Sequence, residues 1–296
     1  MNRKEVKLVE LAKHWKDYEI LDMANGEKLE RWGKQILIRP DPQIIWKQKT
    51  YPELWKKANA KYLRSNTGGG NWEYKTKIPE SWKVTYKNLT FNIKPMGFKH
   101  TGLFPEQAVN WDWMIEKIKN AKRDIKVLNL FAYTGGATVA CLSAGASVCH
   151  VDSSKGMVAW AKENVASSGL QDRPVRYLVD DVVKFVNREI RRNNKYDAII
   201  MDPPSYGRGA NGEVWQFENN IYDLVELCSK ILTEKPLFFL INSYTTGISA
   251  KVLENILFST VQTKKSGKLS SGEIGIPMKN SSLVLPCGIY GRWEEK

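Results

Sequence analysis

From Val127 onward, short apolar runs alternate with stretches of helical periodicity, and this alternation restricts the fold more than any other feature of the chain. The candidate strands are "KVLNLF", "ASVCHV", "PVRYLV", "YDAIIMD" and "PLFFLIN". Between them lie the helical stretches "ATVACLSAG", "SKGMVAWAKENVASSG", "DVVKFVNREIRRN" and "IYDLVELCSKIL". Strands separated by helices form parallel sheets with crossover connections, so the expected class is a doubly wound α/β fold with helices on both faces. The run "SSLVLPCGIYGRW", interrupted by Pro286 and Gly288, reads as an edge strand, where a missing backbone N–H is tolerated.

Before residue 95 the pattern changes. Asn25-Gly26 sits between alternating apolar flanks, a short-turn hairpin signal, and long helical periods are few. The expected division is a small β-rich appendage over 1–95 and the α/β domain over 96–296. "RSNTGGGNWEYK" and "KKSGKLSSGEIGIP" read as flexible loops.

Charge separates the two parts further. Residues 1–100 carry 21 Lys and Arg against 11 Asp and Glu, which is most of the +13 formal net charge. Trp15, Trp32, Trp46, Trp55, Trp72 and Trp82 are interleaved with those cations. Cations neutralise phosphates and aromatics stack on bases, so RNA is the expected partner of this region. The competing reading places the tryptophans in a core and leaves the lysines as a solvated face. No apolar run has the length of a membrane helix, and the charged N-terminus lacks a signal peptide's apolar stretch, so the expected location is cytoplasmic, without membrane contact. Cys141, Cys149, Cys228 and Cys287 lack metal-ligand spacing, and no metal site is expected.

The chemistry-bearing stretches fall at the ends of the candidate strands. The first strand runs into "FAYTGGAT", a glycine turn opening a helix, where backbone N–H groups can face a negative ligand group. It does not fit the dinucleotide pattern GxGxxG, which disfavours nicotinamide chemistry. Asp152 ends the second strand, where a carboxylate can accept both hydroxyls of a ribose. At the third strand's end, "VDDVV" offers Asp181 to an adenine amino group and Val182 as a backbone donor. A purely structural reading makes Asp180 and Asp181 a helix N-cap with a favourable first-turn acid. The fourth strand ends on Asp202-Pro203-Pro204, a stiff turn because proline fixes φ and restricts its predecessor. A carboxylate and a proline carbonyl can there accept two hydrogen bonds from one amine and leave its lone pair free to attack. His150 falls inside the second strand and reads as a core histidine.

The ordered set "NLFAYTGGAT", "HVDSSK", "VDD" and "MDPPSY" resembles the class I S-adenosylmethionine-dependent methyltransferases, with their Rossmann-like sheet. "GFKHTGLFPEQ", "PLFFLINSY" and "LPCG" narrow the resemblance to the group related to bacterial 23S ribosomal RNA methyltransferases, over about residues 96–296. The resemblance implies S-adenosyl-L-methionine as cofactor and S-adenosyl-L-homocysteine as product. It assigns Phe131, Tyr133, Gly135 and neighbouring backbone to the methionine part and Asp152 to the ribose, and counts Asn129, Ala132, Ser153 and Lys155 among the cofactor-binding residues. Asp181 and Val182 would hold the adenine, while Thr101 and Gln107 would close over the site. Asp202, Pro203, Pro204, Ser205 and Tyr206 would face the methyl group and the acceptor.

The implied activity is methyl transfer to a base nitrogen of RNA, ribosomal RNA first. Amine-methylating relatives often place an aromatic directly after Pro-Pro; here Ser205 intervenes and Tyr206 follows. Relatives that methylate pyrimidine C5 need a thiolate near the Pro-Pro motif or after the fifth strand, and Ser205 and Ser243 occupy those places. Cys287 is the remaining candidate for that route. The same fold would also accommodate a methyltransferase for a small molecule or a protein, or a non-catalytic RNA-binding module.

Overall fold

A computed structural model describes residues 9–65, 69–208 and 214–296. Gly209, at the end of the Pro-Pro stretch, and the first glycine of the Gly68–Gly70 run lie outside the described residues. The chain groups into two compact units, one of residues 1–10, 109–274 and 288–296, the other of 11–108 and 275–287. A short strand β1 (Val9–Leu11) comes first.

In the second unit, β2 (Tyr18–Ala24), β3 (Glu27–Trp32), β4 (Gln35–Pro40), β5 (Ala60–Arg64) and β6 (Gly70–Tyr74) form a sheet in that order. A one-turn helix α1 (Pro52–Trp55) precedes β5. Strands β7 (Trp82–Tyr86) and β8 (Leu89–Ile93) make a separate hairpin. The Asn25-Gly26 signal is a turn between β2 and β3, with φ of 53° and 76° at its two residues. Two adjacent left-handed residues match the twist of a tight hairpin, which is why Asn-Gly predicts it. "RSNTGGGNWEYK", expected as a loop, contains β6, because Gly70–Tyr74 pairs with β5 and its backbone groups are satisfied there.

The tryptophans serve the core rather than the surface. Trp32 is fully buried and Trp55 nearly so. The Trp55 indole donates to Asp22 at 2.8 Å, and those of Trp15, Trp46, Trp72 and Trp82 donate to backbone carbonyls of Pro105, Met23, Met96 and Trp32. Each of these five indole N–H groups is spent on pinning its own unit, as buried polar groups require.

The first unit carries the α/β architecture. After helix α2 (Ala108–Asn120), the chain alternates β9 (Lys126–Leu130), α3 (Gly136–Ser143), β10 (Ser147–Asp152), α4 (Lys155–Ser167), β11 (Val175–Val179), α5 (Val182–Arg191) and β12 (Ala198–Met201). A hairpin of β13 (Tyr206–Arg208) and β14 (Val214–Gln216) leads into α6 (Phe217–Ser229), followed by β15 (Phe238–Ser243) and α7 (Ala250–Leu257). Two long strands, β16 (Gly267–Pro277) and β17 (Val284–Glu295), finish the chain.

The sheet order is β1-β16-β17-β15-β12-β9-β10-β11, parallel from β11 through β15, with β17 antiparallel to β15. All five expected parallel strands are present. Their apolar side chains, among them Leu128, Ile199, Met201, Phe239 and Ile241, pack with Phe185, Phe217 and Leu224 of α5 and α6.

Two expectations fail on this sheet. "SSLVLPCGIYGRW" is not at an edge, because β17 lies between β15 and β16; its ladder with β15 runs from Ile289 to Glu294, beyond Pro286, so no donor is missing there. "KKSGKLSSGEIGIP" is not a loop but supplies β16, whose glycines pack under rings: a Cβ on Gly267 would collide with the Trp293 indole, and one on Gly272 would lie 2.8 Å from the Tyr290 hydroxyl. Close approach to aromatic neighbours, rather than flexibility, is what these glycines supply.

Candidate active site

Strand register brings the marked residues to one edge. Leu130 pairs with Val151 and Met201, and Met201 with Ile241, so Phe131, Asp152, Asp202 and Asn242 each stand one step further along neighbouring strands. Asp152 pairs with Val179, the last residue of β11, which puts Asp180 just past that strand's end. This is the carboxyl edge of the parallel sheet, beside the point where strand order reverses at β9, the ligand position of open α/β folds.

The loop after β9 is built from left-handed residues. Phe131, Tyr133 and Gly135 have φ of 53°, 50° and 82°, alternating with Ala132 and Thr134. The loop spends its own donors internally: Ala132 N on the Val151 carbonyl at 3.1 Å, Tyr133 N on Asp152 and Gly135 N on the Ala132 carbonyl at 2.9 Å, which leaves the first turn of α3 open toward the edge. Two glycines let the loop close: a Cβ on Gly135 would lie 2.9 Å from that of Ala161, and one on Gly136 2.8 Å from the Trp111 ring. Asn164 Nδ2 donates to the Thr134 carbonyl at 2.8 Å and fixes the loop from α4. Asn129 is buried within β9, where Nδ2 donates to Thr138 Oγ1 at 3.0 Å. Thr138 in turn meets His150 Nδ1 at 2.9 Å, and burial pushes the His150 pKa down to about 4, so it stays neutral, as expected of a core histidine.

Asp152 has both carboxylate oxygens engaged by backbone donors, Oδ2 by Tyr133 N and Oδ1 by Ser154 N, each at 2.8 Å. Burial raises its pKa, against the two hydrogen bonds. One lone pair on each oxygen is left for a further donor. Ser153 and Lys155 are exposed beside it. Asp181 caps α5, its Oδ1 accepting from Lys184 N at 2.8 Å, and Val182 is the buried first residue of that helix. Asp180 is ion-paired with Arg188. The cap is therefore present, and Asp181 keeps a second oxygen. Thr101 and Gln107 are buried in the other unit, Gln107 in a 3-10 turn.

The Pro-Pro stretch is held from both sides. Pro203 is buried and Pro204 exposed. The Pro204 carbonyl accepts the Trp215 indole N–H at 2.6 Å, and the Trp215 ring packs on Phe131 with centroids 5.2 Å apart. Thr245 Oγ1 donates to Ser205 Oγ at 2.9 Å, and Phe217 N to the Ser205 carbonyl at 3.0 Å. Tyr206 is half exposed, and its hydroxyl accepts from Arg208 Nε at 3.2 Å.

Sequence reasoning missed Trp215, Thr245 and Asn242. Asn242 Oδ1 accepts from Asn110 Nδ2 at 2.8 Å, and Asn110 Oδ1 accepts from Arg292 at 2.6 Å, so the end of β15 is tied to α2 and β17. Asn242 was legible as a polar residue ending an apolar strand; Trp215 and Thr245 carry no local signal.

Residues 61–250 match the family of S-adenosylmethionine-dependent methyltransferases. The crystal structure of the S-adenosylmethionine-dependent methyltransferase from Agrobacterium tumefaciens superposes with a TM-score of 0.93 at 35% identity, covering 98% of this chain and 94% of that one. The ribosomal RNA large subunit methyltransferase K/L of Shewanella baltica is 36% identical over 131 residues, 44% of this chain and 18% of that protein. Its namesake from Pseudoalteromonas atlantica is 31% identical over 167 residues, 56% of this chain and 23% of that protein. The matches thus span less than a quarter of the length of these two relatives.

Proposed function

Because the chain belongs to the S-adenosylmethionine-dependent methyltransferase family, we propose that it methylates a base nitrogen of RNA, with ribosomal RNA as the first candidate substrate. The carrying observation is the Asp202-Pro203-Pro204 turn at the carboxyl edge, in register with Phe131 and Asp152. When bound, the cofactor supplies an electrophilic methyl on a sulfonium. The donor set suits it: the N–H groups of the first turn of α3, which no intrahelical carbonyl takes, for the carboxylate of its methionine part, and the spare lone pairs of Asp152 for the ribose hydroxyls. The second oxygen of Asp181 and the N–H of Val182 are assigned to the adenine.

The Pro204 carbonyl is taken by Trp215, so the acceptor falls to Asp202 and the carbonyl of Pro203. Two acceptors on one amino group orient its lone pair, and positioning is the main help that attack on a sulfonium needs. Tyr206, half exposed after the turn, is assigned to stacking on the target base. RNA as the substrate is supported by the names of the K/L relatives and by the second unit's charge, 19 Lys and Arg against 10 Asp and Glu.

The C5 route through Cys287 loses support: burial, with Glu106 nearby, pushes the thiol well above its usual range, away from the thiolate that attack requires. Asp202→Ala is the decisive variant. Methyl incorporation into RNA from cells lacking the gene is expected to fall by about 10²-fold or more while cofactor binding by calorimetry persists. Full activity in Asp202→Ala would remove the amine-holding role. Mass mapping of ribosomal RNA nucleosides from cells with and without the gene would identify the acceptor atom.

A further inference from the structure

With the tryptophans engaged internally, the second unit has to meet RNA with other side chains, and one pocket supplies them. It is an open pocket of about 550 Å³ whose lining includes Tyr74, Lys75, Lys77, Pro79, Glu80 and Pro95. Tyr74 ends β6, the edge strand of the five-stranded sheet, and the residue is 54% exposed. Among the described residues that ring has no aromatic or cationic partner, and neither Lys75 nor Lys77 has a carboxylate partner.

The walls are fixed before any ligand arrives. Lys75 N and Thr76 N both donate to the Asn59 carbonyl, at 2.8 and 3.2 Å, and Asn59 Nδ2 donates to Thr76 Oγ1 at 2.9 Å. Asn59 Oδ1 accepts from Ile36 N at 2.7 Å, which anchors this wall to β4. On the other side, the Trp72 indole holds the Met96 carbonyl at 2.8 Å, next to Pro95. The ordering cost of both walls is met within the unit, so a ligand need not supply it.

We propose that this pocket is an RNA subsite that takes one unpaired base against Tyr74, with its flanking phosphates on Lys75 and Lys77. A tyrosine face beside prolines and an isoleucine offers the flat apolar contact that any base can use. Two ammonium groups without carboxylate partners beside it suit the phosphates that flank a base, and the net positive charge of the unit steers a polyanion toward it. Glu80, in the same lining, can accept from a base amino group. The subsite rests on the reading of RNA as substrate and adds where the strand is gripped away from the Asp202 turn.

The test uses the full chain and a fluorescein-labelled oligouridylate, read by anisotropy across a salt series. Tyr74→Ala is expected to weaken binding about tenfold, within the range for loss of one base stack, and Tyr74→Phe to restore it. Lys75→Ala and Lys77→Ala are each expected to reduce the slope of log affinity against log salt by about 0.7. Cofactor affinity is unchanged in all four variants.

Wild-type binding with a steep salt slope that none of the four variants alters would overturn the subsite while sparing the RNA reading. Absence of any salt-dependent RNA binding by the wild type would overturn both. Inorganic polyphosphate competing as well as RNA at equal phosphate, with Tyr74→Ala indifferent, would overturn the base stack and reduce the pocket to a cation patch.

Discussion

Single residues set the chemistry of the carboxyl edge. Asp152 stood out in the sequence as an acid that ends an apolar strand of such a sheet. Its partners, Tyr133 N and Ser154 N, did not, since one arrives from a loop 19 positions earlier in the chain. Burial raises the Asp152 pKa above the usual aspartate value of about 3.9, so the carboxylate that would accept ribose hydroxyls is lost earlier on acidification than an exposed one. Cofactor affinity should therefore weaken as pH falls through a transition above that value. Asp152→Asn should bind weakly throughout and show no such transition, which calorimetry across pH would reveal. Asp181 shows why one residue can carry two readings: an acid at a helix start caps it whatever else it does, and the cap is there at 2.8 Å.

At the scale of elements, periodicity located the five parallel strands and the helices between them because each buries its apolar side chains within a local window. It misplaced β16 and β17, where glycines and a proline have tertiary causes: the rings of Trp293 and Tyr290 lie close above Gly267 and Gly272. The β13–β14 hairpin was equally hidden. Its stem carries Trp215, a positioning residue that joins the Pro204 carbonyl to the Phe131 ring. Trp215→Phe keeps a ring and deletes the donor. The expected result is a fall in kcat of about tenfold, the worth of one well-placed hydrogen bond, with cofactor affinity unchanged. An equal loss in Trp215→Phe and Trp215→Ala of both kcat and cofactor binding would instead make the indole a packing element.

At the scale of the whole molecule, stability at acid pH turns on a buried ion pair of the second unit, Glu30–Arg39. Burial opposes the charge on Glu30, but Arg39 and Lys28 outweigh it and lower its pKa. A depressed acid contributes stability above its unfolded value of about 4.3 and loses it as pH falls through the folded value. Glu30→Gln should cost about 3 kcal/mol at neutral pH, because Arg39 is left buried without its partner, and should flatten the acid side of the stability curve in urea unfolding. By itself the sequence determined the order of strands and helices, the strand ends at which the marked residues fall and the Asp-Pro-Pro turn, all consequences of periodicity and backbone stereochemistry acting over a few residues. Only the tertiary structure decided that the tryptophans are pins, that Trp215 claims the Pro204 carbonyl and that Tyr74 faces outward. Burial and hydrogen-bond partnership depend on segments far apart in the chain, and no local pattern records them.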